Sequence, residues 1–332
     1  MKRLLTPALF FFLIFLSLIA YYLYASSSSD LAPIVKSPSK PLRTPSPTLS
    51  SRFNAPDRVD YSQLPTGVSL PDQFSVFSFQ SPLITESAAS PFLSAYNLTQ
   101  PPNKIDTQET SLTTWSSSTY YLTINHKEST LDFGKLNPKN ITRSGRFDSV
   151  DSLTAKALQL LKNTNLFDQQ LIFKLENTEY FVVGPEYLDI ASPASAHLVT
   201  LTFTPYLDNS PLYLQEKFFY QVSFDRGSDI TKLNINHPIT AIKKTSTVKV
   251  FAVEEVRQKP SSDFFRLFVK PKNDTEYFLQ APDITNLQPN QLTPAYLVDL
   301  NSSLLQPIYT FSKRTDSQID YLYAVFAAKN SP

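Results

Sequence analysis

The sequence predicts an α+β fold: an N-terminal transmembrane helix followed by tandem units, each of one helix packed on a mostly antiparallel β-sheet. Three observations predict it. An uncharged apolar run opens the chain, and the body then repeats an order of helix followed by strands. Aromatic residues fill that body at a density suited to half-buried pleated surfaces, with 25 Phe and 17 Tyr in 332 residues.

After Met1-Lys2-Arg3 the chain is apolar from Leu4 to Tyr24, broken only by Thr6, Pro7 and Ser17. Roughly 21 helical residues span about 31 Å, the thickness of a bilayer's hydrocarbon core. Leu4, Phe10, Phe11, Phe12, Leu16 and Ile19 supply the apolar surface. Tyr21, Tyr22 and Tyr24 supply the rings favoured at a headgroup boundary. A cleaved signal peptide has an apolar region of only about 7 to 15 residues. The run therefore reads as a retained anchor in the lipid bilayer over residues 1–25, although Ala25-Ser26-Ser27 offers a peptidase small residues. Lys2 and Arg3 favour a cytoplasmic N-terminus, which leaves a single-pass chain with its body outside the cell membrane.

Residues 26–65 carry a serine run and Pro33, Pro38, Pro41, Pro45 and Pro47, and too few large apolar residues to bury a core. This is a tether. About 40 such residues average roughly 35 Å as a coil and reach about 120 Å as polyproline helix. Lys36, Lys40, Arg43 and Arg52 read as its solvated charges.

The body divides by pattern into units at 66–145, 146–238 and 239–332. In the first, Ala88, Phe92, Ala95 and Tyr96 fall on one side of a helix over 85–96 that Pro91 interrupts. Strands follow at 112–115, 120–124 and 131–133, with a polar turn at His126-Lys127-Glu128-Ser129. The second unit opens on the clearest helix, 149–163, where Val150, Leu153, Ala157, Leu160 and Leu161 repeat at helical spacing; Asp148 can cap it, with Asp151 in the first turn. Val199, Leu201 and Phe203 then alternate, as do Phe218, Tyr220, Val222 and Phe224, up to a turn at Asp225-Arg226-Gly227-Ser228. Leu233 and Ile235 complete that meander. Both strand sets end in the string L-x-I-N-H, at 122–126 and 233–237, as tandem units would. In the third unit, 245–258 suits a helix or a strand equally, and strands follow at 264–269, 277–279, 295–298, 308–311 and 321–326. The Tyr and Phe density in 218–224 and 321–326 predicts two apolar faces, one for the helices and one for a neighbouring unit or a partner.

Chemistry is constrained mostly by absent residue types. With no Cys, the chain has no disulfides, thiolate metal sites or cysteine nucleophile. Its five Gly are isolated, so no phosphate-cradling loop or dinucleotide fingerprint can form, and a nucleotide is not an expected ligand. A net charge of +1 without a basic stripe argues equally against nucleic acid. His126, His197 and His237 lack the spacing of a zinc helix; His126 and His237 read as turn residues. Glu176 with Glu179, Glu254 with Glu255, and Asp148 with Asp151 are the nearest carboxylate pairs, read as a strand rim, a solvated face and a helix cap. Trp115 reads as strand packing rather than a sugar platform. No catalytic, cofactor or metal residue is assigned.

The single anchor, the helix-then-meander units and the closing strings Ala295-Tyr296-Leu297-Val298, Leu305-Gln306-Pro307-Ile308-Tyr309-Thr310-Phe311 and Tyr321-Leu322-Tyr323-Ala324-Val325 resemble the YycH/YycI type of exported bacterial regulator, built of PepSY-like or cystatin-like units. That resemblance implies a membrane-anchored extracytoplasmic protein without catalytic residues, acting on a membrane partner such as a sensor kinase. The expected function is thus a non-enzymatic interaction or regulatory module of a bacterial envelope, with a membrane or cell-wall protein as partner. An envelope glycan or peptide hydrolase would instead need converging carboxylates about 5 to 9.5 Å apart. A structural or adhesive surface protein would need an exposed aromatic patch.

Overall fold

Register explains this fold better than any single element does. The computed structural model describes residues 55–64, 70–184, 188–215, 217–271, 286–289, 291–314 and 319–329. The expected anchor from Leu4 to Tyr24, the expected tether up to residue 54 and the strand expected at 277–279 lie outside the described residues. No described helix is long and apolar enough to cross a membrane.

Strand β1 (Arg58–Val59), a 3-10 turn at Tyr61–Gln63 and strand β2 (Gln73–Gln80) precede the first α-helical segment. There a short 3-10 turn, Glu86–Ala89, leads into α1 (Ser90–Ala95). Pro91 falls in the first turn of α1, where its missing N–H costs no intrahelical bond. The expected helix over 85–96 is therefore split rather than broken. A meander follows: β3 (Asn103–Asp106), β4 (Ser111–Ser116), β5 (Tyr120–Asn125) and β6 (Thr130–Lys135). Helix α2 (Val150–Thr164) is capped by Ser149, whose hydroxyl accepts from the Ser152 amide at 3.2 Å, rather than by Asp148. It stops at Asn165, which takes the left-handed conformation (φ 53°) that ends many helices.

The chain then runs through β7 (Ile172–Val183), β8 (Leu188–Ile190), β9 (Leu198–Leu207), β10 (Ser210–Tyr213), β11 (Tyr220–Asp225) and β12 (Ile230–Asn236). The stretch that suited helix and strand equally is both: β13 (Thr240–Lys249) and then a single helical turn, α3 (Val253–Val256). The last strands are β14 (Phe264–Pro271), β15 (Asn286–Leu287), β16 (Thr293–Asp299), β17 (Leu304–Arg314) and β18 (Ile319–Phe326).

The expected fold class is corrected here. The described body is β-rich with few helices, and its strands do not form tandem units. All but β1 and β15, which pair with each other, belong to one 16-stranded hydrogen-bonded ladder. Strand β6 pairs with β5 on one side and with β12 on the other, both antiparallel, so the two expected sheets are one. The physical reason is the edge: an unpaired β6 would expose a row of backbone donors and acceptors, and β12 satisfies them. The two L-x-I-N-H strings lie on either side of β6 in the same register. Phe133 faces Leu122 and Leu233, and Leu131 faces Ile124 and Ile235.

Both helices cover one face of this sheet. Phe92 of α1 and Leu153, Ala157 and Leu161 of α2 pack on Leu122, Phe133, Leu201, Val222 and Leu233. Full burial of each large side chain stabilises by about 1.5–3 kcal/mol. Trp115 is buried in the same cluster, as strand packing required.

At Asp208-Asn209, with φ 49° and 65°, β9 turns tightly into β10, and Asn and Asp are the residues that tolerate that conformation. Beyond Pro211, β10 leaves β9 and runs parallel to β16, Leu212 opposite Tyr296. That step carries the ladder into a second core built on β2, β13, β16, β17 and β18. Tyr296 is its hub, with Phe74 and Phe77 edge-on at 5.3 and 5.7 Å and its hydroxyl donating to the Ser75 carbonyl at 3.0 Å. Strand β18 has the two apolar faces expected of it: Tyr323 and Val325 enter this core, and Ala324 enters a smaller cluster with Phe265, Leu267 and Leu297. Strand β11 does not. Tyr220, Val222 and Phe224 face the helices, whereas Gln221 and Ser223 lie on the opposite face.

A buried ion pair pins the ends of β6, β11 and β12. Lys135 Nζ lies 2.8 Å from Asp225 Oδ2, with side-chain exposures of 5% and 0%. The same carboxylate accepts from the amides of Thr142, Gly227 and Asp229 at 3.0, 2.9 and 3.1 Å. Removing one partner of such a pair leaves a buried, uncompensated charge. Asp225→Ala is expected to cost about 3–5 kcal/mol, read as a lower denaturant midpoint. An unchanged midpoint would show the pair to be energetically idle.

Candidate interaction face

Because the helices take one face of the sheet, the side chains of alternate positions stand on the other. There the pairings align one residue from each of eight successive strands. Asn103 faces Thr114, Thr114 faces Thr123, Thr123 faces Asp132, and Asp132 faces Asn234. The row continues through Gln221 and Thr202 to Asn177. Every member is polar. Seven interstrand steps of about 4.8 Å give a row of about 34 Å.

Hydrogen bonds tie neighbours along it. The Thr114 and Thr123 hydroxyls are 3.0 Å apart, Asn234 Nδ2 donates to Asp132 Oδ1, and Gln221 Nε2 donates to the Thr202 hydroxyl at 3.1 Å. At the row's end, the buried Asn177 Nδ2 has no hydrogen-bond partner among the described residues. One residue of β7 is bulged out between Leu175 and Asn177, which places Glu176 off the ladder and lets Asn177 meet Thr202.

A second row runs beside the first: Ser116, Tyr121, Gly134, Lys232, Ser223, Thr200 and Glu179. The Thr200 and Ser223 hydroxyls are 2.8 Å apart. Gly134 leaves room for the Tyr121 ring, since a Cβ there would stand 3.0 Å from that ring and 3.0 Å from the Thr231 carbonyl oxygen. Lys232 is exposed in mid-sheet on β12, so the face opens to solvent there, whereas Thr200, Thr202 and Ser223 on β9 and β11 are buried. Burial raises the Asp132 carboxyl above its ordinary range, opposed by Lys232 and reinforced by Glu128. Burial likewise raises the Tyr121 phenol, helped by the Asp132 charge.

The histidines serve the fold. His126 Nδ1 lies 2.8 Å from the Ile84 carbonyl oxygen, which can only accept, so Nδ1 donates there, and Nε2 is hydrogen-bonded to the Thr113 hydroxyl at 2.9 Å. His197 Nδ1 accepts from the Val183 amide at 3.1 Å. His237, at φ 45°, donates its amide to the Ser129 carbonyl at 2.9 Å. Among the described residues no three His, Asp or Glu converge as a metal site.

The carboxylate pairs are placed as follows. Glu176 is the exposed bulge residue, and Glu179 stands in the second polar row. Glu255 accepts from the Ala252 amide at 2.7 Å and from Lys329 at 2.6 Å, while Glu254 is exposed beside it. The Lys329 hydrogen bond, foremost, holds the Glu255 carboxyl below its ordinary value. Asp148 and Asp151 are exposed at the start of α2. The polar rows were not visible in the sequence, because their members lie on strands as far apart as β3 and β12.

No family model matches the chain, and no curated protein matches it. Among solved structures, an uncharacterized protein from Eubacterium rectale ATCC 33656 is similar at 10% identity, over 82% of this chain and 88% of that chain, with a TM-score of 0.49. The functional reading therefore rests on this chain's own geometry.

Burial, with the Lys217 charge adding to it and Glu128 opposing it, lowers the His237 pKa from 6.5 to about 4. The folded state thus keeps His237 neutral where the unfolded chain protonates it. Its contribution is intact above pH 6.5 and is lost as pH falls from 6.5 towards 4, by up to about 3 kcal/mol. The His237→Asn variant, which tolerates the positive φ, is expected to flatten the stability profile in that window, measured by denaturant titration at a series of pH values.

Proposed function

We propose that the chain is a non-enzymatic interaction module of a bacterial envelope, held at the membrane by residues 4–24, with its body on the outer side. In this reading it contacts a membrane or cell-wall protein through the polar face of its sheet. The observation that carries the reading is the eight-strand polar row. A surface that needed only to be soluble would be met by scattered Lys and Glu. Here amides, hydroxyls and one carboxylate are aligned strand by strand, on a face backed by a rigid helix-covered core. Such a surface suits a wet interface, in which direct hydrogen bonds and bridging waters fix the register of a polar partner.

The tether adds reach and concentration. A coil of about 40 residues restricts the body to a shell of tens of ångströms above the bilayer, where weak contacts with other membrane or wall components are favoured by effective concentration. The resemblance to exported regulators supports a regulatory role for that contact.

A photo-crosslinking residue at Lys232, on the open face, is expected to yield a discrete adduct with an envelope protein in intact cells. The same group at Lys162, exposed on α2, is expected to yield none. Equal labelling at both positions, or no adduct at Lys232, would remove the face from consideration.

A further inference from the structure

On the other side of the sheet, at the start of α2, lies a cavity of about 590 Å³ lined by Arg146, Phe147, Asp148, Ser149, Tyr180 and Arg226, among others. Its cations are unbalanced. Arg226 and Arg146 line it, and after burial the charges of Arg143 and Arg226 lower the pKa of His197. Asp148 is the carboxylate in the lining. None of the three arginines forms a salt bridge with a carboxylate among the described residues.

Arg226 is built in rather than loose. Its Nε, Nη1 and Nη2 donate to the carbonyls of Ala196, Gly145 and Ala194, each at 2.6 Å, and the guanidinium lies 5.3 Å from the centre of the Phe147 ring. Three of its five N–H donors are thereby used and two remain. A cation fixed by neutral carbonyls keeps its full charge, and the Phe147 and Tyr180 rings, 5.9 Å apart, form an apolar wall beside it. Arg146 lines the same cavity and is exposed to solvent.

We infer that this cavity binds a phosphate ester, with the guanidinium groups of Arg226 and Arg146 as its donors and the Phe147–Tyr180 wall against the group that carries the phosphate. The planar fork of arginine matches two phosphate oxygens at once. Outside a membrane, phosphate esters occur on lipid headgroups and on anionic wall polymers, and both share this recognition chemistry. The site is independent of the polar face and does not rest on it.

The test uses the full chain in phosphatidylcholine nanodiscs, with thermal stability read at matched ionic strength. Inorganic phosphate is expected to raise Tm above the chloride control, and Arg146→Ala is expected to weaken the apparent affinity roughly tenfold or more. Because Arg226 also stitches three carbonyls, Arg146→Ala carries the test and Arg226 is left intact. A short glycerol phosphate polymer and nanodiscs containing phosphatidylglycerol form two further arms. A stronger Arg146-dependent gain with the polymer assigns a wall polymer as the source, and one with phosphatidylglycerol assigns the headgroup. Stabilisation no greater than that of chloride in every arm, or equal in wild type and Arg146→Ala, overturns the assignment.

Discussion

The pairing of β6 with β12 is the constraint on which the rest of the structure depends. It joins two runs of chain that each look self-sufficient, places the two like strings in one register, and aligns Leu122, Phe133 and Leu233 under the helices. Shift that register by one residue and every apolar side chain of β12 turns to the open face. The Lys135–Asp225 pair closes the same junction at its end, tying the β11–β12 turn to β6 and to the loop at Thr142. Helix cover, polar rows and the cavity at the start of α2 all inherit their positions from these contacts.

Much of the body was legible where one face is apolar. Leu153, Ala157 and Leu161 announced α2 by helical spacing, and the alternations through Val199 to Phe203 and Tyr220 to Phe224 announced β9 and β11. Strand β7 was read only as a strand rim at Glu176 and Glu179, because its Lys174, Glu176, Asn177 and Glu179 dilute the alternation that a half-exposed strand needs. Strand β2 was missed for a different reason. Its pairing partners, β13 and β17, are supplied by the far end of the chain. Local periodicity reports which face of a strand is buried and says nothing about which strand lies beside it, so an expectation of separate units was the natural error.

The same limit applies to the functional surfaces. Thr114, Asp132, Asn234 and Gln221 are unremarkable one by one and become a surface only through cross-strand register. Arg143, Arg146 and Arg226 were likewise unread, since a loop and a distant turn bring them together: the Arg226 amide donates to the Thr142 carbonyl at 3.2 Å. What the sequence did contain was the set of missing residue types, no Cys and few Gly, that narrows the chemistry available.

Strands β1 and β15 meet in parallel over two residue pairs, with the Asp60 amide donating to the Leu287 carbonyl at 2.8 Å. Since the chain enters the described body at β1, any tension applied from its N-terminal side loads this pair first. The next ladder along the chain is β2 with β13, seven register pairs long. A short clasp ahead of a long ladder behaves as a mechanical fuse: a pull on the chain ahead of β1 would peel the clasp before the cores feel the load.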